Sequence, residues 1–196
     1  MNDFLQVLMT ALAALTVENA LFSGGIGFGK MLRAARRPRQ IRMHSLLVAW
    51  FSLISILLGS VLNPVIQENE VLQFMRPALY ALFTAAAYLL FAFLVKAFLP
   101  KFHIKYGELL APAAINTVVL AMPYVQKAFK LSPFQAVGYA LGTGAAFYLG
   151  SLILAGAALH CKDEECPKAF AGLPSLLIYI GILSLAFAGF TGAKLF

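Results

Sequence analysis

The sequence predicts an all-α, polytopic membrane protein of six transmembrane helices, and three observations predict it. Residues 45–62, 77–95, 109–126, 131–159 and 169–193 contain no Asp, Glu, Lys or Arg, and residues 4–22 are interrupted only by Glu18. Each run is at least 18 residues long, enough to cross a hydrocarbon core of about 30 Å. The mean hydropathy is +0.84 and only 12% of residues are charged, where soluble domains carry about a quarter. Finally, the basic residues alternate between loops. Lys30, Arg33, Arg36, Arg37, Arg39 and Arg42 crowd the first loop, Lys96, Lys101 and Lys105 flank the third, and Lys162 and Lys168 lie in the fifth. Arg76, Lys127, Lys130 and Lys194 are on the other side. The positive-inside rule then makes loops one, three and five cytoplasmic and puts both termini outside a cell inner membrane. Topology accounts for the net charge of +7, so the charge points to anionic membrane lipid and not to nucleic acid.

Span one starts acidic at Asp3 and its first lysine is Lys30, so it lacks the basic start of a cleavable signal peptide and is expected to remain in the protein. It carries Glu18, the only acid well inside a span. A charge at the bilayer centre costs at least about 2.5–3.5 kcal/mol, which makes an intramembrane carboxylate a functional candidate. Asn19 follows, and then Gly24, Gly25, Gly27 and Gly29, each a weak helix residue by about 1 kcal/mol against alanine. A broken first helix is therefore expected. Gly24, Gly29 and Lys30 match most of a phosphate-binding loop, but Met31 replaces the required hydroxyl and a membrane span precedes the glycines where a strand is needed. A nucleotide site is excluded on those grounds.

Spans two and three read as scaffold, and His44 and His103, beside basic loops, read as interfacial. Span four, "LAPAAINTVVLAMP", places Asn116 and Thr117 between Pro112 and Pro123. Those prolines predict a second half-helix between them. Asn19 and Asn116 lie about half a chain apart, so the chain reads as one transmembrane domain, 1–196, of two inverted three-helix repeats, about 1–98 and 99–196. Inverted repeats put their function where broken helices meet at the midplane. Gly138 and Gly142 in span five have the spacing of close helix contacts. After it, "HCKDEECPK" holds His160, Cys161 and Cys166. Two thiols and one imidazole fall short of the usual four ligands, so reduced thiols are expected, with a metal or a regulatory disulfide as the alternative.

"TVENALF" before a glycine-rich break, the fourth span, and above all the closing "LLIYIGILSLAFAGFTGAKL" resemble the membrane subunits of the Rnf and Nqr complexes. The N-out orientation is similar to the RnfA/NqrE-like member of the pair, the other being NqrD/RnfE-like. The resemblance implies a small subunit of a redox-driven, ion-translocating oxidoreductase. It also implies two related subunits meeting at half-helices one and four, with cysteines from both holding a 2Fe–2S cluster. This chain departs from that pattern. The first cysteine position falls around Ile26 and Gly27, and the second is Thr117; a hydroxyl is a poor replacement for a thiolate on iron.

The expectation is therefore a cluster-free membrane component of transport or ion coupling, without a cofactor of its own and without an assigned catalytic residue. Glu18 would bind or relay a cation, with Asn19, Asn116 and Thr117 as neutral partners. The breaks would lie at Gly24, Gly25, Gly27, Pro112 and Pro123. One alternative is an electron-transfer subunit using a 2Fe–2S cluster shared with a partner, and another is a structural assembly subunit. Other membrane subunits or further copies of the chain are the expected partners.

Overall fold

The computed structural model describes residues 3–16, 19, 21–22, 25–160, 170 and 172–191. Every regular element among them is helical: α1 (Asp3–Leu15), α2 (Phe28–Ala35), a 3₁₀ turn (Pro38–Gln40), α3 (Ile41–Gln67), α4 (Glu70–Phe74), α5 (Arg76–Phe98), α6 (Pro100–Ala114), α7 (Thr117–Phe129), α8 (Pro133–His160) and α9 (Leu173–Thr191). Glu18, Gly24, Cys161, Cys166 and the side chain of His160 lie outside the described residues.

The uncharged runs become helices because a backbone in lipid must pair its polar groups internally. Residues Pro38–Gln67, Arg76–Phe98 and Pro133–Ala158 are each long and apolar enough to cross a membrane, and α6 with α7 forms a fourth candidate bent by 50°. Helix α1 and the Leu173–Gly189 part of α9 are shorter apolar helices. At 1.5 Å per residue, α1 rises only about 20 Å. The predicted span 4–22 is thus a half-length helix followed by a break, and not a continuous crossing.

Helices α3 and α8 pack together at the centre. Helices α1 and α2 pack on α8, while α6 and α7 pack on α3, so each broken pair leans on the long helix from the other half of the chain. Small residues make this approach possible. A Cβ on Gly138 would lie 2.3 Å from the Val7 carbonyl oxygen, and one on Gly142 would lie 2.3 Å from that of Ala11. A Cβ on Gly144 would come 2.5 Å from the Ala49 Cβ on α3. The close-contact glycines of span five therefore serve packing within this chain. Helix α8 begins at a reciprocal cap, in which the Ser132 N–H donates to Gln135 Oε1 (2.8 Å) and the Gln135 N–H to Ser132 Oγ (3.4 Å), with Pro133 as first helical residue. Phe51, Phe147, Met31, Ile56 and Met122 fill the core.

Two placements correct the sequence reading. Pro112 lies inside α6 and Pro123 inside α7, while the break falls at Ile115–Asn116. A proline within a helix removes one N–H, and the orphaned carbonyl four residues earlier needs another donor. For Pro123 that carbonyl belongs to Val119, and the Ser55 hydroxyl of α3 donates to it at 2.7 Å. The tertiary donor keeps α7 continuous through its proline. In the first half, α1 ends at Leu15, well before the glycines, and Gly29 is a helical residue of α2.

Candidate functional site

The break after α1 is built from polar side chains. Thr16 Oγ1 donates to the Leu12 carbonyl at 2.8 Å, a local bond that competes with helix propagation. Asn19, 1% exposed, then turns the chain. Its Nδ2 donates back to the Leu15 carbonyl at 2.8 Å, and its Oδ1 accepts from the N–H groups of Leu21 (3.0 Å) and Phe22 (3.3 Å). One amide thus satisfies the last turn of α1 and the backbone beyond it. Gly25 (φ 65°) and Gly27 (φ 89°) take left-handed conformations that L side chains rarely adopt, and Gly27 caps α2.

The break between α6 and α7 is shorter. The Ile115 N–H still bonds back to Ala111 (2.9 Å), and extended Asn116 (φ −112°, ψ 136°) caps α7 through an Oδ1 that accepts from the Val118 N–H at 3.3 Å. Asn116 is 0% exposed, and its Nδ2 is buried without a hydrogen-bond partner among the described residues. Such a group forfeits about 1–3 kcal/mol unless something accepts from it.

The two breaks touch. A Cβ on Gly27 would stand 2.4 Å from Val118 Cγ2, 3.1 Å from Asn116 Oδ1 and 3.3 Å from Leu21 Cδ2. Glycine at 27 is what lets the first break seat against the cap of α7. Of the candidate ion-site residues, the structure therefore sets Asn116 against Gly27 of the first break, while Asn19 holds the turn of that break through Leu21 and Phe22. Thr117 is exposed at the start of α7, pointing to a different surface from buried Asn116.

The sequence reading took α3 for scaffold and missed its polar stripe. Ser52, Ser55 and Asn63 are buried at helical spacing along the face that meets α7. Besides the Ser55 bond, Asn63 Nδ2 donates to the Pro123 carbonyl at 3.1 Å, and its Oδ1 accepts from the Tyr80 hydroxyl. Gly59, between them, leaves room for Pro123, whose Cα would lie 2.7 Å from an added Cβ. The four-residue spacing of Ser55, Gly59 and Asn63 was the available signal.

The donors at the crossing do not suit an iron–sulfur cluster. Leu21, Phe22, Gly25, Ile26, Gly27, Ile115, Asn116 and Thr117 offer amide, hydroxyl and apolar groups but no thiolate, and cluster iron is held by thiolates, with imidazole as the known substitute.

Comparison with known proteins places this architecture. The family described as "Rnf-Nqr subunit, membrane protein" matches residues 7–194. The chain is similar to the A-type subunit of the ion-translocating oxidoreductase complex of Rhodobacter capsulatus, at 28% identity over 195 residues, 98% of each chain. It is similar also to the A-type subunit of the Na(+)-translocating ferredoxin:NAD(+) oxidoreductase complex of Acetobacterium woodii, at 25% over 188 residues, 94% of this chain and 96% of that one. A third relative is the A-type subunit of the proton-translocating ferredoxin:NAD(+) oxidoreductase complex of Clostridium ljungdahlii. It is 29% identical over 121 residues, and that match spans 62% of this chain and 63% of the relative. These relatives are named as subunits of larger complexes. With its apolar helices and a match running almost end to end, the chain belongs to the Rnf-Nqr family of integral membrane subunits.

Proposed function

We propose that this chain is a cluster-free ion-coupling subunit of a redox-driven translocating complex, with a polar site where its two broken helices cross. The observation that carries the proposal is the contact of Gly27 with Asn116, which joins the two breaks around a buried amide donor that lacks an acceptor. Glu18 adjoins Asn19 in sequence, and a carboxylate is a strong acceptor for such a donor. In this reading Glu18 binds or relays a cation, Asn19 and Asn116 shape the site, and Thr117 contributes from its rim. The exchanged packing of broken pairs on α3 and α8 supports two inverted repeats, about 1–98 and 99–196. Both termini lie outside the inner membrane, the basic first loop faces the cytoplasm, and other membrane subunits are the partners. No cofactor is held by the chain itself. The names of the relatives, with sodium or protons as translocated ions, support this choice of process.

Glu18→Gln keeps the volume and removes the charge, so it tests the site directly. Thermal stability of the purified chain in detergent is measured against sodium, potassium and pH, since a ligand of the folded state raises apparent stability. Wild type is expected to respond and the variant to remain folded without responding. Identical responses from both would make Glu18 structural. Stoichiometric iron in anaerobic protein lacking Cys161 and Cys166 would instead favour the electron-transfer reading.

A further inference from the structure

A cavity of about 290 Å³ opens among the basic residues, away from the helix crossing, between α2, the 3₁₀ turn, the first turn of α3 and the C-terminal half of α6. Arg33, Arg37, Gln40, His44, Glu108 and Pro112 line it. We infer that this cavity binds a phosphate-bearing monoanion, as a lipid headgroup or as free phosphate.

Three observations carry the inference. His44 is 3% exposed and held face to face on Phe147, with ring centroids 5.3 Å apart, yet its Nε2 is buried with no hydrogen-bond partner among the described residues. A core histidine kept only for packing has no reason to leave that nitrogen unpaired, because unmet buried polar groups destabilise the fold. Gln40 Oε1, on the same cavity, is also buried and unpaired. It is an acceptor, so a ligand that carries a hydroxyl as well as negative oxygens satisfies both orphaned atoms. The third observation is the charge balance. Glu108 lies 3.6 Å from Arg37, and both are exposed; Arg33 has no ionic partner among the described residues. Two guanidinium groups against one carboxylate leave a single positive charge on the lining, and guanidinium matches phosphate oxygens in a fork. Pro112 adds a further polar group, since its missing N–H leaves the Glu108 carbonyl without its helical donor.

The chemistry assigns roles. Arg33 and Arg37 face the phosphate oxygens, the imidazole N–H of His44 donates to the same group, and Gln40 Oε1 accepts the ligand hydroxyl. Dihydrogen phosphate, the monoanion, supplies that hydroxyl itself, and a phosphatidylglycerol headgroup supplies it from its terminal glycerol. The inference is independent of the reading given to the helix crossing, because none of these residues belongs to it.

The full chain, purified in neutral detergent, is the material for the test. Its thermal stability is titrated with inorganic phosphate, using chloride at matched ionic strength as control. In parallel, the chain is reconstituted into phosphatidylcholine bilayers with and without phosphatidylglycerol, and co-purifying lipid is identified by native mass spectrometry. Arg33→Gln is the informative variant, since Arg33 is exposed and its replacement leaves the core intact, whereas replacing His44 disturbs the stack on Phe147. It is expected to weaken apparent affinity about tenfold, the worth of one charge-assisted hydrogen bond. Arg36→Gln, an exposed neighbour that does not line the cavity, is expected to leave affinity within about twofold, as exposed charges act weakly through solvent. Glu108→Gln releases Arg37 and is expected to tighten binding. Retention of phosphatidylglycerol with no response to free phosphate identifies the headgroup, and a response to both identifies phosphate itself as the ligand. No response to either probe, or equal losses from Arg33→Gln and Arg36→Gln, overturns the inference.

Discussion

The two helix breaks use the same residue to unequal ends. Asn19 and Asn116 each accept a hydrogen bond from the N–H two residues ahead, on Leu21 and Val118. Asn19 also binds back to the Leu15 carbonyl, so its amide is used at both ends, whereas Asn116 leaves Nδ2 unpaired at 0% exposure. The first break runs through two left-handed glycines before α2 begins, and the second needs only Ile115 and Asn116. Asparagine therefore caps backbone at both breaks, the last turn of α1 in one and the start of α7 in the other, and glycine has a separate task. Gly27 is required for close approach, because it lies against Val118 on the other break.

Adding a side chain at 27 tests this contrast most severely. Gly27→Ala places a methyl 2.4 Å from Val118 Cγ2 on a backbone with φ of 89°. Left-handed strain of about 1–2 kcal/mol and overpacking of about 1–3 kcal/mol add up to about 2–5 kcal/mol lost. Gly29→Ala is its control, because nothing lies within 4 Å of that Cβ and the residue sits inside α2; it should gain up to about 1 kcal/mol. Denaturant unfolding in detergent measures both. Equal effects would mean that the two breaks do not press on each other.

The asparagines come next. Asn19→Ala removes three hydrogen bonds among the described residues of a buried turn, with an expected loss of at least about 2–3 kcal/mol. Asn116→Ala removes one cap at about 1 kcal/mol but also deletes the unpaired amide, so the net loss should be smaller. If Asn116→Ala proved the more damaging, its Nδ2 would have to be engaged in the intact protein. Restoration of the expected order in a Glu18→Ala background, which removes the acceptor oxygen, would then identify Glu18 as the acceptor.

What was legible in the sequence follows the same division. Uncharged length gave helices α3, α5 and α8, because lipid admits few other backbones. Glycine spacing in span five gave close packing, and the closing residues 181–192 gave the family, which the match over 7–194 bears out. The two asparagines were read as polar partners beside breaks assigned to glycine and proline; that their side chains compete with the helix for backbone partners, and so make the breaks, became visible only in the structure. The exact ends were not legible from glycine and proline alone. Pro123 reads as a stop in one dimension, but a hydroxyl on α3, sixty-four positions before the carbonyl it serves, cancels it. That donor becomes a neighbour only after folding. His44 likewise looked interfacial until the cavity between α2, α3 and α6 put it beside Gln40.

The smallest expected effect concerns Thr117. It follows Asn116 directly, yet it is exposed and begins α7, where its own N–H has no helical obligation. Thr117→Ala should therefore change baseline stability by no more than about 0.5 kcal/mol, the usual range for an exposed position. The ion response separates the two roles that remain. As a rim contributor to the proposed site, Thr117 supplies a neutral oxygen, and its loss should reduce, without abolishing, the stabilisation by sodium or protons that Glu18→Gln removes entirely. An unchanged ion response would confine the site to the buried side of the break, with Asn19 and Asn116, and leave Thr117 as part of the outer face of α7.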